Sequence, residues 1–413
     1  MYFFKYVALI SMVFMLSSSF CSPLQSADIV AEPGTVPSQK SVGWLGNGAN
    51  WYPEATPATE WRPDKNILWS VAVGSGYSSG IIIADKIFMT SEPSLLVCVD
   101  ATQGKILWTK TNTFADLPEK VEEIPLPGGD GGAGNATATP ASDGKFVYTC
   151  FGAGIVACYD VQGQRQWITY LKRTAPGYGH SASPVLVGDK LLVSMGNMTA
   201  LDTKTGKEVW KAEDVREGYG TPAKTKIAGV DVVITPAGDI VRVADGAILA
   251  SIDVMAKFNS PIVHDDVVYC MDVSSIALQL PDKVAGKLQV KKLWEASLDG
   301  DFYASPVYAN GLLFTVSNQG TLYIVDGKDG KILLSKELPF VSKGVPIYSS
   351  PTAAGKYIFI NNFAGETLVI EASREYKEVK LNHLAEGSAG TPVFDGKRMF
   401  ARGGDKLYCI GEK

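Results

Sequence analysis

From about residue 61 onward, apolar runs of three to six residues alternate with small clusters of Gly, Asn, Asp and Ser. Residues 185–210 show the pattern at its clearest. VLV (185–187) leads into the turn Gly188-Asp189, then LLVS (191–194), a turn at Gly196-Asn197, TAL (199–201), the tight turn Thr205-Gly206 and EVW (208–210). Short alternating or fully apolar runs bounded by such residues are strand and hairpin signals. No comparable stretch carries the 3.6-residue period of an amphipathic helix. The predicted unit is therefore four short strands. One such sheet cannot bury both of its faces, so the units must stack on each other.

The unit recurs. Its end, Asp-x-x-x-Gly-Lys-x-x-Trp, is seen at 100–108 (DATQGKILW), 160–167 (DVQGQRQW) and 202–210 (DTKTGKEVW), with a degenerate copy at 326–334 (DGKDGKILL). Its beginning, small and hydroxyl residues before a proline, recurs at Pro140, Pro184, Pro222, Pro261, Pro306, Pro351 and Pro392. Ser79-Gly80-Ile81 is a first copy without proline. Eight copies spaced roughly 40 to 60 residues apart predict an all-β, eight-bladed propeller with four-stranded antiparallel blades. The eighth copy stops after 406–410 and lacks its last strand, while an orphan last strand occupies 66–71 around Trp69. Joining the two shuts the ring without a free edge.

The first residues have the form of an export signal. Lys5 precedes an apolar core at 7–16 and small residues at 17–19. That core is too short to span a bilayer comfortably. Cleavage falls between Cys21 and Asp28; Phe20 in front of Cys21 argues against lipidation there. The expected organisation is a signal peptide at 1–27, a leader at 28–60 and the propeller at 61–413, in the periplasm or secreted, without a membrane span in the mature chain. A net charge of −5 with scattered Lys and Arg gives no reason to expect nucleic acid as partner. A monomer is expected. Cys98, Cys158 and Cys409 occupy one position of three repeats, and Cys150 and Cys270 fall one strand earlier. Such placement reads as small buried hydrophobes. Cys150 with Cys158, on neighbouring strands of one hairpin, is the one credible bridge.

Candidate site residues follow from the register of the inner strands, whose side chains two apart face the same way. One residue before each proline stand Thr139, Ser183, Thr221, Ser260, Ser305, Ser350 and Thr391, with Gly80 in the first copy. A channel ring of hydroxyls this uniform suits structure better than ligand binding. Two residues further back the column varies, with Ser78, Thr137, Ser181, Tyr219, Phe258, Tyr303, Tyr348 and Ala389. Four successive aromatics break the symmetry, either as a binding rim or as a channel plug. His180 stands near the same mouth. The largest insertion, 112–135, contains a glycine run at 128–134 and suggests a flap. That run lacks the strand and helix context of a phosphate loop. His180, His264 and His383 lie on different units without metal-ligand spacing, and Asp130, Asp301 and Glu386 are dispersed. No catalytic, metal or cofactor-binding residue is assigned.

The Asp-x-x-Thr-Gly-Lys-x-x-Trp ending resembles the tryptophan-docking repeat of pyrroloquinoline-quinone (PQQ)-type propellers. That superfamily includes quinoprotein alcohol dehydrogenases and the propeller subunit of the outer-membrane barrel-assembly machinery, BamB. The chain departs from the pattern where Ala250, Leu334 and Val379 replace the docking tryptophan, which implies weaker packing between those blades. The resemblance implies three functions of unequal weight. The first is a non-catalytic envelope scaffold that holds a protein partner on the face bearing the connections between blades. The second is a dehydrogenase using PQQ and calcium, but such enzymes clamp the quinone beside an adjacent cysteine pair, which this sequence lacks. The third is a carbohydrate-handling propeller, with Tyr219, Tyr303 and Tyr348 stacking on sugars. No cofactor is expected outside the second.

Overall fold

Tight turns fold each repeat into a four-stranded antiparallel meander, and eight such sheets form the ring. The computed structural model describes residues 42–121, 134–172, 179–254, 256, 258–284 and 286–412. The expected signal peptide, Cys21 and the first part of the leader lie outside the described residues.

Blade 1 shows the plan. Its inner strand Ile81–Ile83 is followed by Lys86–Ser91, Leu95–Asp100 and the outer strand Ile106–Thr111. The middle strands are buried on both faces, whereas the outer strand alternates. Apolar clusters fill the gaps between blades, so each sheet supplies half of two cores. Closure is made by Ile67–Ala72, which pairs antiparallel with Lys406–Ile410 and puts Trp69 opposite Cys409. Arg402 reinforces that junction. Its buried guanidinium donates to the carbonyls of Gly74 and Thr90 and to the hydroxyls of Ser78 and Ser91, tying blade 8 to blade 1.

Five outer strands carry the docking tryptophan. Each indole lies on a left-handed glycine in the last turn of the next blade. A Cβ on Gly104, Gly163, Gly206, Gly246 or Gly330 would come within 2.4–2.8 Å of the ring of Trp69, Trp108, Trp167, Trp210 or Trp294 respectively. Four of the five also donate Nε1–H to a carbonyl of that turn, as Trp167 does to Thr203 O at 2.8 Å. For Trp69 the corresponding carbonyl, Ala101 O, is taken by Arg398.

The three outer strands without tryptophan face blades without such a turn. Ala250 faces the longer segment 280–290, whose Leu280 and Leu288 join its apolar cluster. Leu334 shares a cluster with Tyr376 from segment 372–377. Blade 8 has no closing turn at all, because its outer strand, Ile67–Ala72, comes from the start of the propeller. Tryptophan and glycine are therefore present or absent together. The weaker packing implied by the missing tryptophans is replaced by other side chains at two of the three interfaces. The third position also needs correction. The closing turn of blade 7 is one residue longer than that of blade 1, so Lys380, not Val379, stands opposite Val369 in the docking place.

The described cysteines lie on the two middle strands of their blades, as their repeat positions imply, and Cys98, Cys150, Cys158, Cys270 and Cys409 are buried free thiols. Cys158 stands opposite Tyr148, and Cys150 opposite Val156. Cys150 and Cys158 are thus diagonal neighbours, beyond the reach of a bridge.

The leader enters the ring. Val42 bridges to Ser142 on the inner strand of blade 2. Trp44 then donates Nε1–H to Ser260 Oγ of the blade 4–5 connection at 2.9 Å, and Leu45 joins the core between blades 5 and 6. Asn50 donates to Pro351 O and Thr352 Oγ1, and Trp51–Tyr52 adds a parallel fifth strand to blade 7. The segment leaves across the turns of blades 7 and 8, where Thr56 N–H meets Gly396 O. It plugs the channel from the turn-bearing face.

Candidate functional site

The opposite face carries the outer-to-inner connections and the second-to-third turns. At its centre the predicted hydroxyls form a closed circle of hydrogen bonds. The backbone N–H of Ser79 donates to Thr139 Oγ1, Thr139 to Ser183 Oγ, Ser183 to Thr221 Oγ1 and Thr221 to Ser260 Oγ. Ser260 N–H continues to Ser305 Oγ, Ser305 to Ser350 Oγ, Ser350 to Thr391 Oγ1, and Thr391 returns to Ser79 Oγ. All bonds measure 2.8–3.1 Å and all eight residues are buried. The eighth member is Ser79 rather than Gly80. Without proline in the first copy, counting along the sequence is off by one. A buried N–H of this kind needs an acceptor, and each hydroxyl supplies one to the preceding blade.

Above the ring the aromatic column forms a continuous arc. Tyr219 stacks on Phe258 at 5.4 Å, Phe258 meets Tyr303 edge-on at 4.7 Å, and Tyr303 lies 5.6 Å from Tyr348. Two residues that the sequence did not single out extend it. Phe363, in a turn of blade 7, lies 5.7 Å from Tyr348, and Tyr77, in the blade 8–1 connection, lies 5.9 Å from Phe363. Tyr77, Tyr348 and Phe363 are among the most exposed large apolar side chains of the molecule. The arc spans blade 4 to the blade 8–1 connection, and its last three rings face solvent.

His180 does not join this rim. It is 5 % exposed and sets Nε2 3.8 Å from Cys150 Sγ. Burial pushes the Cys150 thiol up to about 12, so the pair holds a thiol, not a nucleophilic thiolate. Glu217, two residues before Tyr219, is the titratable group that sequence reading missed. Burial lifts its carboxyl to about 7, although Ser194 and Gly196 N–H bond to it. Of the dispersed acids, Asp301 accepts from Gln319, Glu386 is exposed near Phe363, and Asp130 lies outside the described residues. So does most of the glycine run of the proposed flap. The described part of that insertion is held down, with Phe114 on Tyr170 and Asp116 paired to Arg165.

Charge divides between the two faces. In the described connections of the aromatic face, twelve acidic side chains stand against four basic ones. In the turns of the opposite face, twelve basic side chains stand against nine acidic. The face with the aromatic arc is thus strongly negative. Between blades 7, 8 and 1 it also holds a cavity of about 450 Å³ lined by Tyr77, Phe363 and Glu386. Among the described residues no three His, Cys, Asp or Glu side chains gather as metal ligands, and no helix is long and apolar enough to cross a membrane.

Comparison with known proteins gives a consistent picture. The family model for the outer membrane protein assembly factor BamB matches residues 59–222 and 283–375. BamB of Moranella endobia is 23% identical over 380 residues, covering 83% of this chain and 88% of its own. A quinoprotein ethanol dehydrogenase of Pseudomonas putida is 26% identical over 218 residues, 46% of this chain, and the match spans about a third (32%) of that enzyme. Among solved structures, BamB of Moraxella catarrhalis superposes with a TM-score of 0.60 at 16% identity, covering 84% of this chain and 98% of that one. A quinohemoprotein alcohol dehydrogenase of Pseudomonas putida superposes with a TM-score of 0.58 at 11% identity, over 88% of this chain and 80% of that one.

Proposed function

The chain belongs to the PQQ-repeat propeller family of the outer membrane protein assembly factor BamB, and from that premise we propose that it is a non-catalytic, protein-binding module of the cell envelope. The observation that carries the reading is the aromatic arc from Tyr219 to Tyr77 on the connection-bearing face. Clustered Tyr and Phe give a partner large contact area at low entropic cost. The hydroxyls beneath it are already committed to the ring between blades, so they serve the scaffold rather than a ligand. Export through the N-terminal segment would bring the propeller to the periplasm or beyond.

PQQ with calcium does not suit the residues present. No two of the six cysteines are adjacent. The five described ones are buried in blade strands, so none offers the vicinal pair that would clamp a quinone.

Envelope co-purification tests the proposal. The intact protein should recover a stoichiometric partner identified by mass spectrometry, and Tyr303→Ala with Tyr348→Ala should lose it while keeping the thermal midpoint. Recovery that is indifferent to those two rings, or dye reduction by the protein reconstituted with PQQ and calcium, would overturn it.

A further inference from the structure

The cavity at the end of the arc has a chemistry of its own. Two rings, Phe363 and Tyr77, line it, Tyr348 packs on Phe363 to continue the arc, and Glu386 stands beside them. Glu386 is exposed, reaches the cavity with its carboxylate against Gly404, and makes no ion pair among the described residues. Phe363 and Tyr77 lie at 56° to each other, so they open as a V rather than closing face to face. Aromatic faces carry negative potential and attract a cation set over them, the more so where the site is partly desolvated. A carboxylate beside such faces completes a site for an ammonium or guanidinium group.

One positive charge lies nearby and must be weighed. Arg402 packs under Gly76, at the floor of the cavity. Its buried guanidinium bonds to carbonyl and hydroxyl oxygens of blade 1, with Glu92 and Asp405 close enough to act on its charge. Those two carboxylates and Glu386 outnumber it. The surrounding face adds to the same sign, since its connections carry three acidic side chains for every basic one. Complementarity of this kind steers a partner of opposite charge to the face and fixes its register.

We propose that this cavity is the anchor for a Lys or Arg side chain of a cationic, extended polypeptide segment, which then runs along the aromatic arc toward Tyr219. The inference rests on the protein-binding reading and specifies the partner's chemistry. The length of the arc, six rings from Tyr219 to Tyr77, suits a strand-like segment better than a single small molecule. The rings take the aliphatic stems of its side chains, and Glu386 takes the charged head.

The test uses the full chain and defined probes. Fluorescence anisotropy is measured with labelled peptides of one length that alternate Ser with Arg, Gln or Glu, and with a chito-oligosaccharide as competitor. The Arg peptide should bind, and raising salt should weaken it. Glu386→Gln and Phe363→Ala, both at exposed positions, should each reduce affinity about tenfold. Glu386→Asp should restore part of the loss. Equal binding of the Arg and Gln peptides would overturn the proposal. So would an Arg affinity unchanged by Phe363→Ala, which would leave only diffuse attraction, or displacement by the oligosaccharide, which would make the site a sugar site. Failure here with a partner still recovered from the envelope would reject the cationic anchor alone. Failure of both would reject the binding module.

Discussion

Gly206→Ala measures the tryptophan lock directly. Gly206 has φ +69°, and a Cβ there would stand 2.5 Å and 2.6 Å from two atoms of the Trp167 ring. Left-handed backbone costs a non-glycine residue about 1 kcal/mol. The clash is larger. Trp167 is buried in the core between blades 2 and 3 and holds Thr203 O at 2.8 Å, so the ring cannot retreat without loosening both. Overpacking of a filled site costs about 1–3 kcal/mol and the strained hydrogen bond about 1 kcal/mol more. The expected loss is therefore about 3–5 kcal/mol, read as a shift of the urea midpoint. Gly188→Ala is the control, because Gly188 has φ +59° but nothing within 4 Å of a new Cβ. It should cost only the backbone part. Trp167→Ala on its own should lose about 3–5 kcal/mol. In the double variant the clash has no partner, so the two losses should fall short of additive by about 2 kcal/mol. Strict additivity, or Gly206→Ala no worse than Gly188→Ala, would refute the idea that the glycine exists to seat the indole.

Two further outcomes follow from the ring and from the buried acid. Ser183→Ala should destabilise by about 1–3 kcal/mol, because it leaves the buried N–H of Thr139 without an acceptor; Ser183→Thr should be nearly neutral, since blades 2, 4 and 8 already use threonine there, and equal effects of the two would sink the acceptor role. Glu217 titrates near 7 in the fold against an ordinary 4.5, so its contribution to stability is complete below about pH 4.5 and is lost as pH rises through 7. Glu217→Gln should flatten the thermal midpoint across that window and gain about 1–2 kcal/mol over the parent at pH 8; parallel pH profiles of parent and variant would count against it.

The ring was legible because its signals are local and repeated. Eight beginnings, the turn glycines and the unpaired segment around Trp69 each follow from a few neighbouring residues. Errors arose where a single extra or missing residue mattered. The extra residue in the turn 372–377 moved the docking position by one, and the first copy, without proline, hid Ser79 behind Gly80. His180 was placed on the right connection, but only packing reveals that it turns inward to Cys150. The arc was half visible. Tyr219, Phe258, Tyr303 and Tyr348 share a repeat position, and Tyr77 shares it too once Ser79 takes its place in the ring, whereas Phe363 comes from a turn of blade 7 and meets the arc only in three dimensions. Charge was the least readable property. A modest net −5 conceals the acidic connections of the aromatic face, because in the turns of the other face the repeat sets an Asp beside a Lys, as Asp100 with Lys105 and Asp202 with Lys207.

The threaded leader also dictates an order of events during synthesis. Trp44 and Asn50 find their hydrogen-bond partners 216 and 301 residues later, and Ile67–Ala72 waits for Lys406–Ile410, on the far side of seven intervening blades. The earliest part of this stretch to emerge is thus the latest to be satisfied. Contacts so distant in the chain form slowly, and until they do, blade 8 presents an open strand edge. Deleting Lys406–Ile410 would leave Ile67–Ala72 without its partner and hold blade 8 in that unfinished state.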